Sequence, residues 1–171
     1  MKGRVFLVQT SVIEDSPRLI KEVKVLEQNG YSVTLLGWNR EGEPSSLKQN
    51  KVKGSLREIT LKLKAPKGIG VLPFLFVWWC FELFWLIRAK YDCIHAINFN
   101  SIIPAVIVGR LKNKPAIYEV LDTQTDEEIF PRTVRHIGIQ VDKIFMWLAD
   151  AIILVDDLHI EEFGGIPNSK V

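Results

Sequence analysis

"YDCIHAINFNSIIPAVIVGRLKNKPAIYEVLD", residues 91–122, holds two short apolar runs on either side of a longer segment. "YDCIHAINF" (91–99) and "PAIYEVLD" (115–122) are rich in β-branched and aromatic residues and are bounded by Asn, Pro and Asp, as buried strands are. "SIIPAVIVGRLKNK" (101–114) is long enough for a helix and tolerates Pro104 in its first turn. Parallel neighbours need a crossover between them, so strand, helix, strand makes a βαβ unit.

The same alternation extends in both directions. Upstream, "RVFLVQT" (4–10) and "YSVTLLGW" (31–38) read as strands flanking the helix in "EDSPRLIKEVKVLEQNG". Asp15 or Ser16 caps that helix, Pro17 suits its first turn and Gly30 its stop, with Leu19, Val23 and Leu26 on one face. "NREGEPSS" (39–46) reads as a loop, and "LREITLKL" (56–63) alternates like a strand near a sheet edge. Downstream, residues 133–149 predict a helix whose apolar face holds Val134, Ile137, Val141, Ile144, Phe145 and Leu148. "AIILVDD" (151–157) predicts a sixth strand, and "LHIEEF" a last short helix. The expected fold is α/β: a doubly wound, mostly parallel, Rossmann-like sheet of six to seven strands, helices on both faces, in the order 3-2-1-4-5-6.

Composition sets outer limits. With 171 residues, 47% of them hydrophobic, the chain can bury one domain core. A net charge of +2 gives no argument for nucleic acid. Cys80 and Cys93 lie in apolar segments and read as buried free thiols of a reducing compartment. The first residues run straight into a strand with no secretory pattern, so a cytoplasmic location is expected.

In such sheets ligands sit beyond the carboxyl ends of the strands, near the point where strand order reverses. No GxGxxG follows the first strand, which argues against a dinucleotide. The loop "QTSVIEDSPR" offers Gln9, Thr10, Ser11 and the cation Arg18 instead. Strand four ends with His95, Asn98 and Asn100; the Asn98 amide both donates and accepts, which suits a sugar hydroxyl, but equally a turn. Strand five ends with Glu119, Asp122 and Thr123. A carboxylate there serves as a general base on a hydroxyl, making Asp122 the catalytic candidate against the alternative of a cap or Asx-turn. Asp156 and Asp157 are a pair that can bind a hard cation with a nucleotide phosphate, but one of them capping the next helix is the favoured reading, and no metal site or bound cofactor is expected within this domain.

In their order and spacing, "DSPRLIKEVKVLEQNGYSVTLLGW", residues 91–122 and "LADAIILVDDLHIEEFGGIPNSKV" resemble the N-terminal half of a retaining family 4 glycosyltransferase of GT-B fold. The resemblance covers the chain apart from residues 40–90. It implies an acceptor-binding domain, residues 1–171, opposite a C-terminal donor domain lying outside this chain and holding a nucleotide-sugar donor. Asn98 stands where the family has an aspartate, and Leu121 where it often has a histidine. Asp15, Arg18, Lys21 and Glu22 match a subgroup of the family. By this resemblance Arg18, His95, Asn98, Asn100, Glu119 and Thr123 touch substrate. The fragment alone is expected to be inactive. The competing reading is a non-catalytic Rossmann-like binding or membrane-docking module.

"LPFLFVWWCFELFWLIR" (72–88) is apolar nearly all round, with Glu82 at its middle. A spanning helix there would put strands three and four on opposite sides of a bilayer and break the sheet, so spanning is rejected. A helix covering one sheet face has no use for aromatics on every side. Phe74, Trp78, Trp79, Phe81 and Trp85 are therefore expected at a membrane or partner surface. Nearby Lys48, Lys51, Lys53, Arg57, Lys62, Lys64, Lys67, Arg88 and Lys90 favour peripheral contact with an anionic membrane. A lipid-linked acceptor then follows from the family resemblance. A homodimer or donor-domain contact through residues 71–89, and a plain core, are the alternatives.

Overall fold

The computed structural model describes residues 2–11, 16–40, 56–66, 68–121 and 131–155. In chain order these form β1 (Gly3–Gln9), α1 (Pro17–Gln28), β2 (Tyr31–Asn39) and β3 (Arg57–Lys62). A 3-10 turn (Gly68–Val71) then runs into α2 (Leu72–Arg88). After it come β4 (Cys93–Ile97), α3 (Phe99–Lys112), β5 (Ala116–Val120), α4 (Arg132–Leu148) and β6 (Ala151–Leu154). The six strands make one sheet in the order β3-β2-β1-β4-β5-β6. Every neighbouring pair is parallel, as the alternating pattern predicts.

The order reverses between β1 and β4, so right-handed crossovers send helices to opposite faces. On one face α1 covers Leu7, Val33, Leu35 and Ile97 with Leu19 and Val23. On the other, α2, α3 and α4 share the larger core, over Phe6, Val8, Leu36, Ile94, Tyr118 and Ile152. Ser16 caps α1, accepting from the Leu19 amide at 3.3 Å, and Gly30 takes a φ of 84° just past its end.

The aromatic helix α2 does have one buried face, made by Leu75, Trp78, Glu82 and Leu86 at spacings that return to one side of a helix. Trp78 stacks on Trp38 with ring centroids 5.8 Å apart. Trp78 is thus fully buried, correcting its expected place at a membrane or partner surface. Phe74, Trp79, Phe81 and Trp85 are only half-buried and pack against the core. The side chains turned outward are others: Leu72, Phe76, Val77, Phe84 and Ile87.

Pro104 explains how α2 is held. Helix α3 begins at Phe99, earlier than expected, so Pro104 lies beyond the first turn and donates nothing to the Asn100 carbonyl. Two indoles of α2 satisfy that carbonyl instead: Trp78 Nε1 donates at 3.2 Å and Trp79 Nε1 at 2.9 Å. The helix that loses a backbone bond is thereby tied to the helix beside it.

Two further expectations are corrected. Cys80 is exposed and Cys93 half-buried; both thiols are free. In α4 the apolar face was expected to include Ile137 and Ile144, but both are exposed, while Asp142 and Met146, and Ala149 just past its end, are buried. Asp142 is drawn in by Tyr118, whose hydroxyl donates to it at 2.7 Å, and burial pushes that carboxyl up to about 6.

Glu82 has no such partner. It is fully buried, neither carboxylate oxygen has a hydrogen bond, and burial raises its proton affinity well above the ordinary value of 4.5. A folded-state pKa above the unfolded one means the native chain keeps a proton that the unfolded chain releases. Stability is therefore lost as pH rises above about 4.5. Glu82→Leu is expected to stabilise the protein by about 1–3 kcal/mol at neutral pH in denaturant unfolding. The gain should shrink toward pH 4; a gain independent of pH would contradict a buried, protonated Glu82.

Candidate functional site

Because α1 follows β1, its first turn stands beside the carboxyl ends of the central strands. Arg18, the second residue of α1, reaches Glu22 one turn on at 3.0 Å and Glu119 of β5 across the sheet. Glu119 is almost wholly buried while Arg18 stays 43% exposed, so the pair links the rim to the interior. His95 of β4 completes the cluster, with Nε2 at 2.9 Å from Glu119 Oε2, an ion-pair distance off the line a hydrogen bond needs. Strand alternation explains the meeting: His95 and Glu119 face the α1 side, while Ile94, Ala96, Tyr118 and Val120 face the larger core.

The electrostatics divide the two acids. Burial alone would raise the Glu119 carboxyl, but His95 and then Arg18 outweigh it and hold it below its ordinary value. Burial, followed by the charge of Glu119, pushes Glu22 above its ordinary value against the pull of Arg18 and His95. A proton entering the cluster's carboxylates therefore goes to Glu22 before Glu119. Glu22, His95 and Glu119 bring one ligand atom each within 4.8 Å of one another, yet Arg18 already supplies the positive charge this group needs.

Asn98 bridges two strand tips. Its amide N–H donates to the Glu119 carbonyl at 2.8 Å, and its side-chain oxygen accepts from the Leu121 amide at 2.9 Å. It adopts φ 62° and ψ 165°, a region nearly confined to glycine, and these bonds hold it there. Asn100 lies on α3 beside it, its carbonyl turned to the two indoles of α2. Asp122 and Thr123, expected at the end of strand five, lie outside the described residues, as do Asp156 and Asp157 and the lysines at 48, 51, 53 and 67. The structure thus joins Arg18, His95 and Glu119 directly and sets Asn98 next to Glu119.

Glu22 is the member of the cluster that the candidate substrate residues omit. Its i,i+4 spacing from Arg18 was a usable signal. Among the described residues, Gln9 Oε1, Ser11 Oγ and Glu22 Oε2 are buried on this side of the sheet without a hydrogen-bond partner, beside the His95–Glu119 ion pair. Such groups are costly to leave unpaired, and they concentrate where a polar ligand can satisfy them. Fold and site together define a doubly wound α/β domain with a polar rim at its topological switch point.

Neither a protein-family model nor a curated protein sequence matches this chain. Solved structures do match its fold. UGT2 of Phytolacca americana superposes with a TM-score of 0.65 at 13% identity, over 93% of this chain and 47% of that one. MurG of Acinetobacter baumannii gives 0.58 at 15%, over 98% and 44%. Sucrose-phosphate synthase of Thermosynechococcus elongatus gives 0.60 at 12%, over 96% and 46%. All three are GT-B glycosyltransferases, and at these identities the likeness is one of fold. The chain spans about half the length of the structures it matches.

Proposed function

We propose that this chain is the acceptor-binding half of a GT-B glycosyltransferase, closing a cleft against a second α/β domain that holds a nucleotide-sugar donor. The observation that carries this reading is the Arg18–Glu119–His95 cluster at the switch point of the sheet, where open α/β folds bind ligands. The half-length match supports it, as does the UGT2 structure holding UDP-2-fluoro-glucose together with pterostilbene. Arg18 and the polar atoms around it form the acceptor wall, and Asn98 fixes the two strand tips that shape it. Asp122, next in sequence to Leu121, takes the proton of the acceptor hydroxyl as its oxygen attacks the sugar and the nucleotide leaves. Family 4 membership and retention of configuration rest on the order of the sequence segments alone.

The acceptor is lipid-linked in this reading, and the enzyme works peripherally at the cytoplasmic face of a membrane. Support comes from α2, which with its preceding turn is long and apolar enough to cross a bilayer by composition, yet joins two strands of one sheet. Its outward residues Phe76 and Phe84 are the ones to meet lipid.

The test uses the longer protein that carries this chain, incubated with a panel of nucleotide sugars and a lipid extract, with products read by mass spectrometry. Transfer from one donor is expected, and Asp122→Asn should lower kcat/KM by about 10²-fold or more. A folded protein that transfers from no donor, or an Asp122→Asn variant with full activity, contradicts the assignment.

A further inference from the structure

The helices α2, α3 and α4 lie on the same face of the sheet, and their charges are unbalanced in a particular way. Only two acids occur in all three, Glu82 and Asp142, and both are buried. Their basic residues include Arg88, Arg110, Lys112 and Lys143. Arg57 of β3 adds to them, lying over the Trp85 ring at 5.8 Å, and Arg88 lies over Phe84 at 4.4 Å. By contrast α1, on the opposite face, carries Glu22 and Glu27 among its cations. The outer surface of the three-helix layer thus presents cations and large apolar groups with no helical carboxylate.

The apolar groups are not confined to α2. Phe76, Phe84 and Ile87 of α2, Leu111 of α3, and Ile144 and Trp147 of α4 are between 47% and 74% exposed. On α4 the exposed residues Ile137, Gln140, Ile144 and Trp147 recur at spacings of three and four, so they form one stripe. A stripe of this kind would cost solubility if it faced only water.

We infer that the whole α2–α3–α4 layer, and not α2 alone, is the face this protein lays on an anionic bilayer, with the α4 stripe of Ile144 and Trp147 as a second apolar anchor. Charge complementarity selects lipid as the occupant: basic residues beside Phe and Trp, with no exposed acid on the three helices, suit an anionic headgroup layer. Two anchors on one sheet face fix the orientation of the domain, where a single helix would let it roll. The sheet then lies over the membrane, and the polar rim, at the ends of the strands, opens sideways along the lipid surface. The inference rests on the membrane-surface reading of α2 and extends it.

Co-sedimentation of the chain with phosphatidylcholine vesicles, with and without phosphatidylglycerol, tests it. The pair Ile144→Ser and Trp147→Ser should weaken partition onto phosphatidylglycerol vesicles by about tenfold or more, as should Phe76→Ser with Phe84→Ser. Gln140→Glu places an acid on the stripe without touching the core and should cost about fivefold. Val25→Ser on α1, equally exposed on the other face, should change nothing. Loss with the α2 pair but not with the α4 pair or Gln140→Glu overturns the second anchor and leaves the α2 reading standing. Equal binding to both lipids overturns the charge argument, and no binding by the unaltered chain overturns both readings. A dimer in sedimentation velocity that the α4 pair abolishes, without any vesicle effect, would assign the stripe to a second copy and overturn the inference.

Discussion

Trp78→Ala is expected to cost about 3–5 kcal/mol in denaturant unfolding, while Phe76→Ser two residues earlier should stay within about 0.5 kcal/mol. Trp78 is wholly inside, stacked on Trp38 and bonded to the Asn100 carbonyl, so its removal leaves a cavity between α2 and the sheet. The carbonyl keeps a partner in Trp79, so most of the cost is lost packing rather than an orphaned acceptor. Phe76 is 65% exposed and leaves no cavity. The contrast fixes the rotation of α2 about its axis. Equal costs at the two positions would mean that α2 packs with another face inward.

Glu119→Ala should be nearly as disruptive, at about 2–3 kcal/mol near neutral pH. Removing it leaves Arg18 and His95 without their shared carboxylate; partial exposure of Arg18 lets water soften the loss. The sign of the pH dependence follows from the direction of its shift. Glu119 is held below its ordinary value of 4.5 in the folded chain, so its contribution is present above that pH and fades as pH falls through the lower, folded value. The cost of Glu119→Ala should therefore shrink in acid. That is the reverse of the deficit at Glu82, which grows as pH rises. Unfolding curves of both variants at pH 4 and pH 7 separate the two buried acids, and parallel behaviour would refute one of the assignments.

The sheet was legible because each βαβ unit announces itself by an apolar run, a helical segment and another apolar run, and right-handed crossovers leave a few doubly wound orders, of which 3-2-1-4-5-6 was the one expected. The register, such as Ile97 beside Glu119, came only with the structure. The rotation of α2 was not legible, since a helix apolar on every side gives periodicity nothing to phase on. Glu82 misleads further, because a lone acid suggests the wet side and here lies innermost. The face of α4 was misread by roughly a quarter turn, because Tyr118 draws Asp142 inward, a pairing visible only in three dimensions. At the site, Arg18, His95 and Glu119 were each singled out by their position near a strand end or helix start. Their mutual contact was not, because it depends on β4 and β5 turning the same face toward α1. The backbone of Asn98 was likewise unreadable, since nothing in "INFN" signals a positive φ at asparagine.

The division of labour between two halves is the claim on which the functional account depends. Calorimetric titration of this chain alone with UDP-, GDP- and dTDP-sugars tests it most directly. The account predicts no saturable heat from any of them, because it assigns the donor to a second domain. Saturable binding of a nucleotide sugar by these 171 residues, abolished by Arg18→Ala, would place the donor at this rim and contradict the acceptor assignment.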